Sequence, residues 1–255
     1  MKLQELFEAK KQLHSAKVVA LLDALDEANA EYDIFTENDD EIAFKKLIFH
    51  AGISTDSLRR ILTDESLATV HSIIDLSFYN CILDSTGPLR GIDIKYLTMI
   101  GSKKQKLDIF DLPEGLFKAD IQSFNIGDVD FKSMPELYEL TLIGNEITSL
   151  KGKFPKVTSL SINNNKIPSL ENYHKMFPIL EKIGLGMNPI KSNILSLVKM
   201  DKLHEFRIIV GTKSWISKEL VNAIDIIKDG KADGDDILEI QQKLIDNNLE
   251  EFAKL

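Results

Sequence analysis

Over residues 137–170 the chain reads LYELTLIGNEITSLKGKFPKVTSLSINNNKIPSL, and its apolar positions fall in the same places twice: L-x-x-L-x-L-x-x-N-x-I-x-x-L, then V-x-x-L-x-I-x-x-N-x-I-x-x-L. The apolar and Asn positions recur while the residues between them change. What repeats is therefore a shape and not a set of reactive groups. Residues two apart lie on one face of an extended strand, so the second leucine of each motif, taken as a marker, points inward together with the residue two further on.

The markers Leu140, Leu160, Ile183 and Phe206 are separated by 20, 23 and 23 residues, by subtraction of their numbers. Going backward, Phe124, Leu97 and Leu76 extend the pattern at spacings of 16, 27 and 21 residues, so seven units are expected, with irregular loops around the third. Units of this length cannot bury their apolar face alone, and stacking them strand on strand at about 4.8 Å produces one parallel sheet, about 30 Å along the stack for seven strands. Asn145, Asn165 and Asn188 each lie five residues past a marker, where the chain leaves the strand. A buried Asn there can satisfy the backbone groups of the adjoining turns and form a ladder. The same offset in the remaining units holds Cys81, Ser102, Val129 and Gly211.

In LYELTLIGNEI, VTSLSINNNKI and LEKIGLGMNPI, and more loosely in IIDLSFYNCIL, the chain resembles leucine-rich repeat proteins. Its short repeats are similar to those of internalins and of the regulatory phosphatase-binding branch. The resemblance spans roughly the middle half of the chain and implies an α/β solenoid with its parallel sheet on a concave face. Some branches of the family accept Cys in the Asn slot, which implies a structural place for Cys81.

A solenoid must cover its first and last coils. Residues 1–69 are expected to form a helical N-terminal cap, 70–216 the repeat domain and 217–255 a helical C-terminal cap. The first helical pattern runs through Leu3, Leu6, Phe7, Leu13, Val18, Leu21, Leu22 and Leu25, the second through Ile42, Phe44, Leu47 and Ile48 to a break at Gly52. Residues 36–41, TENDDE, read as a polar loop, and Ser54 begins a cap for LRRIL. At the other end Ser217 caps a helix carrying Leu220, Val221, Ile224 and Ile227 that Gly230 should stop; a last helix carries Ile237, Ile240, Leu244, Leu249 and Phe252.

Charge and composition narrow the function. With 44% hydrophobic and 28% charged residues the chain can build a core, and a net charge of -9 without a basic block disfavours nucleic acid. No apolar run is long enough for a membrane span, and Glu5 and Glu8 sit where a signal peptide would be apolar, so a cytoplasmic protein is expected, or one delivered to a host cytosol. Cys81 is the only cysteine, which precludes an intrachain disulfide. As a nucleophile it would need a base or positive end beside it, and His71, ten residues back, has no defined geometry for that. The loop DGKADGDDILEI puts Lys231 where a calcium loop needs an oxygen ligand and Glu239 one residue short of the closing glutamate, so it reads as a solvated linker. His14, His50, His71, His174 and His204 make no zinc spacing, and IGLGMNP lacks the third glycine of a dinucleotide turn. No catalytic constellation is found, and neither cofactor nor metal is expected.

Function should then lie on the concave face. Counting one before, one after and three after each marker picks out Tyr79, Tyr96, Ile100, Ile143 and Ile209 as apolar anchors and Glu139, Lys182, Glu205 and Arg207 as charges that fix register. The third unit would contribute Ser123, Asn125 and Gly127. The expected role is a non-enzymatic, monomeric scaffold that binds another protein. The resemblance implies an alternative, a regulatory or inhibitory subunit of a phosphatase- or toxin-like enzyme. A less favoured one is a bacterial effector with activity in its helical flanks.

Overall fold

The computed structural model describes residues 15–36, 40–63, 68–102, 105–109, 112–207 and 217–254. Leu3, Leu6, Phe7, Leu13, Ile209 and Gly211 lie outside them. The chain is α/β, its parallel strands wound as successive coils, and it divides into two compact units, Met1–Leu116 and Phe117–Leu255.

The first unit contains α1 (Ala16–Glu27), β1 (Glu31–Thr36), β2 (Ile42–Phe49), α2 (Thr55–Ile61), β3 (Val70–Tyr79) and β4 (Ile94–Ile100). Val18, Leu21, Leu22 and Leu25 recur at helical spacing and are buried on one side of α1. Ser54 caps α2 by accepting from Ser57 N at 3.1 Å. β1 pairs antiparallel with β2, whereas β2, β3 and β4 run parallel.

The helix expected through Ile42, Phe44, Leu47 and Ile48 is thus a strand. Its buried residues Phe44, Leu47 and Phe49 occupy offsets −3, 0 and +2 of the repeat, and Leu47 pairs with Leu76, which pairs with Leu97. The three-residue step imitates a helical period, but the step of two to Phe49 belongs only to a strand. Phe49 stacks on Phe78 at 5.3 Å between ring centroids, a contact a helical Phe49 would not make in this register.

The second unit contains β5 (Lys118–Gln122), β6 (Val129–Asp130), β7 (Glu139–Thr141), β8 (Leu150–Lys151), β9 (Ser159–Ser161), α3 (Tyr173–Met176), β10 (Lys182–Gly184), β11 (Glu205–Arg207), α4 (Lys218–Asp233) and α5 (Ile237–Asp246). Strands β5, β7, β9, β10 and β11 are neighbours in that order and all parallel, while β6 and β8 pair separately. The central register is Ala119, Leu140, Leu160, Ile183, Phe206.

The marker of the third repeat is therefore Ala119, not Phe124. The spacings on either side become 22 and 21 residues (119 − 97 and 140 − 119), and the expected irregularity vanishes. Ser123, Asn125 and Gly127 leave the sheet face, and Lys118, Asp120 and Gln122 take their places. Phe124 instead fills the Asn slot of its coil, and Val129 belongs to β6.

Asn145, Asn165 and Asn188 bond successive coils through their side chains. Asn145 Oδ1 accepts from Phe124 N at 2.9 Å, and its Nδ2 donates to Ile121 O at 2.7 Å. Asn165 Oδ1 accepts from Asn145 N at 3.0 Å and Ile147 N at 3.1 Å, while Nδ2 donates to Leu142 O at 2.6 Å. Asn188 accepts from Ile167 N at 3.2 Å and donates to Ile162 O at 2.8 Å. Each amide reaches back to the preceding coil, and all three side chains are buried. Elsewhere in the core, Phe131, Phe154 and Phe177 follow one another at centroid distances of 5.7 and 4.7 Å, one ring per coil.

In the C-terminal segment Ser217 caps α4, accepting from Leu220 N at 3.0 Å. Gly230 does not stop this helix. It lies inside α4, where an added Cβ would come within 2.6 Å of Ile240, and Gly234, at φ +84°, ends the helix. The acidic linker then has a local explanation. Asp236 accepts from Leu238 N and Glu239 N at 2.8 and 2.9 Å, and Glu239 accepts from Asp236 N at 2.9 Å, a reciprocal cap for α5.

Candidate partner-binding face

Each unit carries its own part of the expected face. In the first unit Tyr79 lies opposite Ile100, and Tyr96 opposite Asp75, across the parallel pair β3 and β4. All three anchors are half-buried rather than fully exposed. The strand that was expected to be a helix adds a third column, with Lys46 beside Asp75 and Ile48 beside Ser77. The imidazole of His50 stacks on the Tyr79 ring at 6.2 Å and meets Glu31 Oε1 through Nε2 at 2.9 Å. Lys46, Ile48 and His50 were missed because their segment was read as helix; the F-x-x-L-x-F spacing around Leu47 was the signal that could have found them.

In the second unit the row one residue before the markers reads Lys118, Glu139, Ser159, Lys182, Glu205 across five strands. Its charges pair within the row: Lys118 Nζ lies 2.7 Å from Glu139, and Lys182 Nζ 3.3 Å from Glu205. Arg207 Nε adds a contact of 2.5 Å to Glu205. The hydrogen bond to Glu139 holds the Lys118 ammonium above the usual lysine range, and Arg207 holds the Glu205 carboxyl below its ordinary value. Asp120 is shifted the other way, raised by burial against the opposing pull of its hydrogen bond with Gln122 and of Lys118.

The next row, Asp120, Thr141, Ser161, Gly184 and Arg207, is short in its middle, and there the floor is fixed. Asn163 donates to Ser161 Oγ at 2.8 Å and accepts from Gly186 N at 2.6 Å. Its side chain passes so close to Gly184 that an added Cβ would stand 2.7 Å from Nδ2. Ile143 is half-buried beside this floor. The result is an uncharged patch between two ion-paired clusters, its backbone and side chains fixed by their own hydrogen bonds.

Cys81 takes the Asn slot of its coil. Its Sγ donates to His50 O at 3.1 Å and to Phe49 O at 3.5 Å, both on the preceding coil, and it is 2% exposed. Burial pushes the thiol up to about 11, the wrong direction for a nucleophile at neutral pH. Among the described residues no three His, Cys, Asp or Glu side chains converge as metal ligands, and no helix is long and apolar enough to cross a membrane. Comparison with protein-family models, curated proteins and solved structures finds no match.

Proposed function

We propose that this chain is a leucine-rich-repeat-type scaffold whose work is to hold another protein against the open face of its sheet. The observation that supports this most is the second unit's face, where paired charges flank a floor of small side chains locked by Asn163. A surface so organised can read a partner's charge pattern without reorganising, and rim charges of this kind set register and on-rate. A helical C-terminal end that covers the last coil belongs to the same reading, with Lys231 Nζ, bonded to Val198 O at 3.3 Å and Met200 O at 2.8 Å, tying α4 to the coil before it.

The test is partner capture. Proteins that co-purify with the tagged chain from its native cells are identified by mass spectrometry, and capture is repeated with Glu139→Lys and Lys182→Glu together. The swap leaves Leu140 and Ile183 untouched, so circular dichroism should not change. Loss of the captured protein supports docking on this face; undiminished capture places the interface elsewhere.

A further inference from the structure

A second feature lies in the connections that follow β9 and β10, off the sheet face. A hollow of about 250 Å³ is lined there by residues from three separate stretches, among them His174 and Lys175, then Ser196 and Lys199, then Lys254. We propose that this hollow binds a small phosphate-class dianion, a phosphomonoester or its inorganic equivalent.

The charge arrangement is the first support. Three ammonium groups line the hollow against one carboxylate, Glu171, leaving a formal charge of plus two (3 − 1), opposite to a dianion. In a chain of net charge -9 lysines have carboxylates to spare, and Lys118, Lys156, Lys182 and Lys243 all use them. The ammonium groups of Lys175, Lys199 and Lys254 make no ion pair among the described residues, although Glu171 is near; that carboxylate accepts from Asn172 Nδ2 at 3.4 Å. Like charges gathered without counterions repel each other, and an anion relieves that repulsion.

The second support is His174. Its backbone N donates to Ser196 Oγ at 3.3 Å, and its ring Nδ1 lies 2.9 Å from the same oxygen. Ser196 is 7% exposed, so its hydroxyl is committed to this pair. Burial, together with Lys199 and Lys175, holds His174 below the ordinary histidine value, which makes the neutral ring the resting form at neutral pH. Ser196 Oγ already accepts from the His174 backbone N and has its hydroxyl proton to give to Nδ1, the arrangement in which Nε2 carries the ring proton as a donor. Ser196 is here a positioning residue. The charged groups around the ring are Glu171 and Lys175 on its own segment, Lys199 beyond Ser196, and Lys254 from the C-terminal stretch.

The experiment follows the His174 ring by NMR, assigned with His174→Gln. Sulfate is the pH-dependence probe because it remains a dianion from pH 5 to 8, glycerol phosphate is the phosphomonoester, and chloride at matched ionic strength is the control. Either dianion should give a saturable shift of the ring signals and raise the His174 pKa. By linkage sulfate must then bind more tightly at pH 5.5 than at pH 8, a difference lost in His174→Gln. Lys199→Gln should weaken binding about tenfold, the equivalent of one charge-assisted contact. Ser196→Ala should shrink the pH dependence while weakening dianion binding at pH 8 less than Lys199→Gln does. Shifts that chloride reproduces, or dianion affinities that survive Lys199→Gln and Lys175→Gln with unchanged amide spectra, overturn the proposal.

Discussion

The two units solve the same problem, holding one coil on the next, by different means. In the first unit the strands are long, 8 residues in β2, 10 in β3 and 7 in β4, so main-chain ladders do most of the joining. In the second β7, β9, β10 and β11 have 3 residues each. There the joining passes to buried side chains, the three asparagines and the file of phenylalanine rings. A short strand makes few backbone bonds, and the chain that leaves it carries amides and carbonyls which must find partners elsewhere. The slot five past the marker therefore matters in proportion to how little sheet surrounds it. Cys81, beside long strands, makes weak S–H bonds; Asn165, beside short ones, satisfies groups on two coils.

Replacing Asn165 by Ala should therefore have the largest effect. It strands the amides of Asn145 and Ile147 and the carbonyl of Leu142 in the interior, and should cost about 3 kcal/mol in urea unfolding. A loss below about 1 kcal/mol would break the contrast between the units. Cys81→Ala should cost only about 1 kcal/mol in the same measurement, since a small apolar group and a weak donor are removed. An equal loss at both positions would mean that the slot, and not its surroundings, sets the energy.

Asp120→Asn gives the smallest effect, with a definite sign. Burial raises the folded-state carboxyl, so the folded protein favours the protonated form; that contribution is complete below the unfolded value of 3.8 and is lost as pH rises through the folded value. The neutral amide should consequently stabilise the protein at pH 7, by less than about 1 kcal/mol, and the gain should disappear below pH 3.8. Thermal unfolding at pH 7 and pH 3.5 checks both halves. Destabilisation at pH 7 would show that the attraction of Lys118 outweighs burial at this end of the face.

Much of this architecture was legible in the chain because its signals are local. Offsets of −3, 0 and +2 mark the strands β3, β4, β7, β9, β10 and β11, and Tyr79, Tyr96, Ile100, Glu139, Lys182, Glu205 and Arg207 lie within them, whereas Ile143 lies in the turn that follows β7. Where the expected pattern fails, the local signal is weak or double. Residues 116–121 read L-x-x-A-x-I, and Ala119 was overlooked because a small residue carries little hydropathic signal even where packing leaves it 0% exposed. In residues 44–49 the step of three from Phe44 to Leu47 fits a helix as well as a strand, the step of two to Phe49 fits only a strand, and pairing with β1 on one side and β3 on the other fixes it.

The sequence alone determined the repeat, its period and the slot that Asn occupies, since each is written within a dozen residues by alternation and turn chemistry. Only the tertiary structure decided which residue stands at the centre of β5, that β2 joins the sheet, and that Lys175, Lys199 and Lys254 surround one hollow. Those outcomes depend on contacts between residues more than twenty positions apart, and a pattern that governs one coil carries no information about which side chains the next coil will bring beside it.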